Sequence, residues 1–194
     1  WHYEVTGHAM EEVLKEVMGS DDKYVGVVLT SGSSGTLGCG DYLKELYPTS
    51  KIVVGEALQC PTLLANGFGA HRIEGIGDKH VPWIHNVKNT DMIIDVDDND
   101  SMGLVRLFNE PAGKDYLREI GISKRLIEQL PLLGISSAAN VIMAIKFAKY
   151  YELTENDVVM TVFTDSMELY KSRLKEMEEE YNNSYGKIDA AVDY

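Results

Sequence analysis

Four short apolar runs, each of strand length and each set apart by stretches of helical periodicity, constrain this chain more than any other feature. They are Lys23-Tyr-Val-Gly-Val-Val-Leu-Thr30, Lys51-Ile-Val-Val-Gly55, Asp91-Met-Ile-Ile-Asp-Val96 and Asp157-Val-Val-Met-Thr-Val-Phe163. A strand with one wet face alternates in hydrophobicity. A strand buried on both faces reads as a continuous apolar run, and such strands belong to parallel sheets covered by crossover helices. The intervening segments have the matching period. Thr6 to Met18 places Met10, Val13, Leu14, Val17 and Met18 on one helical face, with Thr6 as the expected cap. A second helix opens after Ser31–Thr36 and runs to about Tyr47, where Pro48 stops it. Further helices are expected over Ala138 to Tyr151 and from Met167 to about Tyr181, and Phe108 to Leu133 reads as short helical pieces broken by Pro111, Gly113, Gly121 and Pro131.

The expected fold class is therefore α/β: a three-layer, Rossmann-like, mostly parallel sheet with helices on both faces. The 194 residues suit one folded unit, expected over 1–175, with an acidic tail over 176–194 that reads as a solvated, fraying helix end. With 18 Lys+Arg against 31 Asp+Glu the formal charge is −13, which argues against a nucleic-acid partner because phosphate neutralisation supplies most of that affinity. No apolar run approaches the ~20 residues of a membrane span, so no membrane partner is expected. The two cysteines, Cys39 and Cys60, form no CxxC pair, and a reducing, cytoplasmic setting is the expectation. The chain opens Trp-His-Tyr-Glu, which reads as the start of a fragment.

One loop has the chemistry of a ligand site. Ser31-Gly-Ser-Ser-Gly-Thr36 lies between a buried strand and a helix, at the carboxyl end of the expected sheet. Open α/β sheets bind ligands there, and backbone N–H groups with a helix N-terminus favour an anion. The same composition also makes a plain turn and cap. The loop lacks the Gly-x-Gly-x-x-Gly of dinucleotide sites and the Gly-Lys-Ser/Thr of nucleotide P-loops. It also lacks the Pro-Lys-Gly continuation of adenylate-forming enzymes, running on as Thr36-Leu-Gly-Cys-Gly-Asp41.

Five segments in order match a known series: His2-Tyr-Glu-Val-Thr-Gly7; Gly32-Ser-Ser-Gly-Thr36 with Asp41-Tyr-Leu-Lys-Glu45; Ile73-Glu-Gly-Ile-Gly77 with Val81-Pro82; Gly134-Ile-Ser-Ser137; and Val158 to Ser166. The series resembles the cysteine synthase and cystathionine β-synthase family, fold-type II pyridoxal 5′-phosphate (PLP) enzymes, from His2 to about Leu174. The resemblance implies that Gly32, Ser33, Ser34, Gly35 and Thr36 form the cup for the PLP phosphate, where the family has Gly-Thr-Gly-Gly-Thr. It implies that Gly75 passes close to the cofactor through backbone atoms. It implies that Ser166, in Phe163-Thr-Asp-Ser166 where the family has Leu-Pro-Asp-Ser, faces the pyridine nitrogen with its hydroxyl. A neutral hydroxyl there leaves that nitrogen unprotonated, which suits β-elimination and β-replacement on serine, O-acetylserine or cysteine-type substrates. Gly134-Ile-Ser-Ser137 matches the family too, with Ala138 where the family has glycine, but Ser136 or Ser137 capping the helix Ala138 to Tyr151 explains the pattern fully and is the expected reading.

The Schiff-base lysine of such enzymes lies in a Ser-x-Lys-x-Arg segment upstream of the first match, and Ser123-Lys124-Arg125 corresponds in neither place nor pattern. The resemblance thus implies the C-terminal, phosphate-holding part of a larger enzyme, inactive alone, with no catalytic residue in this stretch. Its partners would be the N-terminal half of the same enzyme, a small amino-acid substrate and a second copy in a homodimer. The alternative is a Rossmann-like binding or regulatory module that does not use PLP. No metal is expected: Asp95 to Asp100 has Asp100 and Arg106 where a calcium loop needs Gly and Glu, and His80 with His85 do not form a zinc motif. Cys39 reads as a small buried residue.

Overall fold

A computed structural model describes residues 1–181 and 184–194. Its centre is a four-stranded, fully parallel sheet in the order β3-β2-β1-β4, formed by β1 (Lys23–Thr30), β2 (Lys51–Ala57), β3 (Met92–Val96) and β4 (Asp157–Met160). The elements around it are α1 (Val5–Val17), α2 (Gly38–Leu46), α3 (Thr62–Ala65), α4 (Asp98–Asn109), α5 (Pro111–Glu119), α6 (Lys124–Gln129), α7 (Ile135–Tyr150), α8 (Lys171–Tyr181) and α9 (Lys187–Asp193). The α/β class and the parallel sheet with helices on both faces are as expected. Among the described residues no single helix is long and apolar enough to cross a membrane.

The two faces carry two cores. Met10 and Leu14 of α1 and Leu43 of α2 pack on Tyr24, Val27, Leu29, Ile52 and Val54. On the other face Met102 and Val105 of α4 and Ala139, Met143 and Phe147 of α7 pack on Val25, Val28, Val53, Ile94 and Val96. Strict alternation along β1 would put Val28 on the same face as Tyr24. Instead the register against β4 shifts between Tyr24 and Gly26, and this bulge carries Val27 to Tyr24's side and Val28 to the other. A third, smaller cluster joins Leu107, Leu117, Ile127 and Ala190, so α5, α6 and α9 form an annex against α4.

Several boundaries differ from expectation, each for a visible reason. Thr6 does not cap α1: the helix begins at Val5, and the Thr6 hydroxyl pairs with His2 Nδ1 at 2.8 Å. Of the expected apolar face, Met10 and Leu14 are buried in the core and Met18 packs against it half-buried, while Val13 and Val17 are exposed. β4 ends at Met160, three residues early, because Thr161 Oγ1 takes over by donating to Val28 O at 2.7 Å. Neither Ser136 nor Ser137 caps α7, which starts at Ile135 behind Gly134 without a side-chain cap bond. Gly113 lies inside α5 and does not break it. The final helix is two pieces, a 3-10 turn at Met167–Leu169 and then α8. Within the stretch expected as an acidic tail, 178–181 are exposed, but Met177 joins the larger core and α9 docks through the fully buried Ala190.

Candidate functional site

The site lies at the carboxyl ends of the parallel strands. β1 delivers Thr30, and Ser31 N donates to Gly55 O at 2.8 Å, so the chain is still pinned to β2 as it enters the loop. Ser34 then turns left-handed at φ 63°, ψ 6°, and is buried. This is the position where serine replaces the glycine of the resembling family. A Cβ is strained in that conformation. The strain is offset locally, because Ser34 Oγ and Ser31 Oγ lie 3.1 Å apart as a buried hydrogen-bonded pair. A single 3-10 turn, Gly35–Leu37, follows and leads into α2.

Among the described residues no backbone carbonyl accepts from the amides of Gly32, Ser33, Ser34, Gly35 or Thr36. Five consecutive amide donors without a backbone acceptor stand just ahead of a helix, the kind of place where backbone N–H groups can hold an anion. The second wall comes from Gly75 and Gly77, which turn left-handed at φ 83° and 86°, as glycine does without cost. Gly77 N donates to Ser31 O at 3.1 Å, and a Cβ on Gly32 would lie 3.5 Å from both Gly75 O and Ile76 Cα. A Cβ on Gly32 would meet that turn in ordinary contact, so glycine is required at the turn itself, by the left-handed φ of Gly75 and Gly77 and by the His71 ring, whose Nε2 lies 2.5 Å from where a Cβ on Gly77 would stand. Glu74, beside the turn, receives Arg173 Nε from α8 at 2.6 Å, which fixes the loop from outside.

Ser166 reaches the same end of the sheet by another route. After β4 the chain is held by Asn140 Nδ2 donating to Val162 O at 2.8 Å and by Gly134 N donating to Asp165 O at 2.7 Å. Tyr170 OH donates to Asp165 Oδ2 at 2.8 Å, which closes the turn carrying Ser166. Ser166 is half-buried and makes no side-chain cap bond to the 3-10 turn behind it. Its hydroxyl is therefore not committed to capping. The structure thus brings Gly32 and Ser34 to one cleft with Gly77, sets Gly75 O beside Gly32, leaves Ser33 exposed and Thr36 half-buried, seats Gly35 beside the His2 ring, and ties the segment leading to Ser166 to the loop's entry through Asn140.

Pro82 of the third matching segment lines the cleft, which has further walls that the motifs did not reveal: Glu56, Thr62, Asp78 and His80. Glu56 is buried at the end of β2, one residue beyond the expected strand, and its carboxylate accepts from Leu63 N and Leu64 N at 2.8 Å, holding the first turn of α3. Its register partner on β3 is Asp95. Burial first, then the negative charge of Glu56 beside it, pushes the Asp95 carboxyl up to about 6. Thr62 Oγ1 donates to Asp78 O and ties α3 to the Gly75–Gly77 turn. A buried acid closing an apolar strand was the available sequence signal for Glu56. Cys39 is fully buried and its thiol is pushed up to about 12 by burial, so it is not the nucleophile of this site. Among the described residues no group of three or more His, Cys, Asp or Glu side chains could hold a metal ion.

No protein-family model matches the chain. It is 30% identical over 162 residues to cysteine synthase B of Campylobacter jejuni, covering 83% of this chain and 46% of that protein. It is 34% identical over 142 residues to a cysteine synthase of Staphylococcus aureus, covering 73% and 40%. Among solved structures, a hydrogen sulfide-producing enzyme of Fusobacterium nucleatum superimposes with a TM-score of 0.69 at 27% identity, over 99% of this chain and 50% of that one. The chain spans about half the length of the relatives it matches.

Proposed function

On the premise that the chain belongs to the cysteine synthase and cystathionine β-synthase family of PLP-dependent enzymes, about half of whose length it spans, we propose that it is the part that holds the cofactor's phosphate. The whole enzyme would perform β-elimination or β-replacement on serine, O-acetylserine or cysteine-type amino acids. The observation that carries the reading is the set of five amides from Gly32 to Thr36 without backbone acceptors, faced by the Gly75–Gly77 turn. Those amides and the Thr36 hydroxyl would hold the phosphate, Gly75 would pass along the cofactor with its bare backbone, and the Ser166 hydroxyl would meet the pyridine nitrogen. PLP, when bound, supplies an electron sink for a carbanion at the substrate's α-carbon.

This chain's own work on that reading is binding and orientation. Lys124 stands in α6 within the helical annex, away from the loop, and the lysine that attaches the cofactor would come from the rest of the enzyme. Phe68, Val81, Trp83, Ile84 and Val87 are exposed, on the segment between α3 and β3 that also carries the Gly75–Gly77 turn. An apolar surface of this kind at a site's edge suits contact with that other half. The chain alone would be inactive, and the assembled enzyme would be a cytoplasmic homodimer.

Titrating the chain with inorganic phosphate and with PLP, followed by ³¹P NMR, tests the proposal without needing the lysine. Saturable binding of both, lost in Gly35→Asp and Thr36→Val, is the expected result. Folded variants that bind as the parent does, or a parent that binds neither ligand, would overturn it.

A further inference from the structure

We propose that Asn140 is a positioning residue that sets the phosphate loop and the Ser166 turn in one register, so that the two ends of a bound cofactor are met by parts of one clamp; the assignment of those ends rests on the reading above. Asn140 lies on α7 and is 4% exposed. Its side-chain oxygen accepts from Thr30 N at 2.8 Å, immediately before the loop, and its side-chain nitrogen donates to Val162 O at 2.8 Å, four residues before Ser166. The backbone partners fix which way the amide points, since Thr30 offers an N–H and Val162 a carbonyl.

The position matters because the sheet's own ladder stops short of it. The β1–β4 pairing ends at Val27 with Met160, and Thr161 Oγ1 makes the next link to Val28 O. Beyond that point Asn140 bridges the strand that becomes the loop and the chain that becomes the Ser166 turn. Only a side chain that donates and accepts together can bridge an N–H and a C=O. Just ahead of α7, Gly134 N holds Asp165 O, and a Cβ on Gly134 would come within 2.8 Å of that oxygen. Between them Ser137 is fully buried with its Oγ unpartnered among the described residues. The face of α7 at Gly134, Ser137 and Asn140 therefore underlies the Ser166 turn and the entry to the loop.

The test compares Asn140→Ala and Asn140→Asp with the parent by ¹H–¹⁵N NMR and phosphate titration. In the parent, inorganic phosphate added at the loop shifts the Asp165 and Ser166 amides as well as those of 32–36. In Asn140→Ala the 162–166 amides are already displaced without ligand, phosphate affinity falls about tenfold, and added phosphate moves the loop alone. Asn140→Asp keeps the side-chain shape and guards against mere unfolding. At about pH 8 its ionised carboxylate cannot donate to Val162 O and it resembles the alanine variant, whereas at about pH 5 the buried acid holds its proton and restores the parent pattern. Changes confined to α7, or a lowered melting temperature with the parent's coupling intact, would overturn the proposal. If the parent binds no phosphate, the cofactor reading fails, while the ligand-free shifts of 162–166 and of the loop still decide the clamp.

Discussion

Replacing Ser34 by alanine and, separately, by glycine measures how the loop's conformation is held. Ser34 sits at φ 63°, ψ 6°, 5% exposed, with its hydroxyl 3.1 Å from that of Ser31. Both replacements remove the same hydroxyl, each losing a buried hydrogen bond of about 1 kcal/mol and leaving Ser31 without that partner. They differ only in the Cβ. A Cβ in the left-handed region costs about 1–2 kcal/mol. Glycine escapes that cost but gives back about 0.5–1 kcal/mol through the greater freedom of its unfolded chain. Alanine should therefore be the less stable of the two by about 1 kcal/mol, a separation of about 2–4 °C in Tm for a chain of this size. Far-UV circular dichroism is the suitable probe, since Trp1 and Trp83 are 87% and 103% exposed and would report little of the core by fluorescence. Ser34→Gly should also keep its phosphate binding, because glycine holds the turn without strain. If Ser34→Ala proves as stable as Ser34→Gly or more so, the left-handed turn does not exist in solution and the anion site proposed on it fails.

Two further outcomes follow from the packing around the sheet. Asp95 holds its proton more tightly folded than unfolded, so its contribution to stability is present at low pH and is lost as pH rises from the ordinary carboxylate range through about 6. Asp95→Asn should stabilise the chain by about 1 kcal/mol above that pH, where two carboxylates otherwise stand at adjacent strand positions, and do little at about pH 4; urea unfolding across pH with an unchanged slope would refute this. Gly113→Ala should cost about 3 kcal/mol, although alanine is the better helix former, because its Cβ would lie 2.2 Å from Leu107 O and push α5 off α4; a melt equal to the parent's would show that the annex is not packed as described.

The sheet was legible because burial on both faces leaves a mark within the strand itself. Val27 and Val28 are adjacent, fully buried and packed into different cores, and no alternating run could supply both. The loop was legible for a related reason, since Ser31 to Thr36 are contiguous and their residue types announce a turn. What escaped was everything fixed by partners distant along the chain. Asn140 reads as one more polar residue in a helix, and its role depends on Thr30, 110 positions away. Serine capping of α7 was a sound local reading of Ser136–Ser137 that lost to the tertiary contact between Gly134 N and Asp165 O.

The fourth apolar run carries a different lesson. Asp157 to Phe163 asks for burial on both faces as plainly as β1 does, yet every residue of β4 is only half-buried and Phe163 is exposed. Periodicity records the environment in which a sequence works, which need not be the environment a stretch of it makes alone. β4 is an outer strand of the described sheet, and the chain spans about half the length of its relatives. On the proposed reading the rest of the enzyme covers this edge, and the apolar character of Val162 and Phe163 belongs to that contact. A second chain bearing the remaining half should then protect the 157–163 amides from exchange and cover Phe163. Unchanged exchange on assembly would instead leave the run's hydrophobicity to β4's packing against β1 alone.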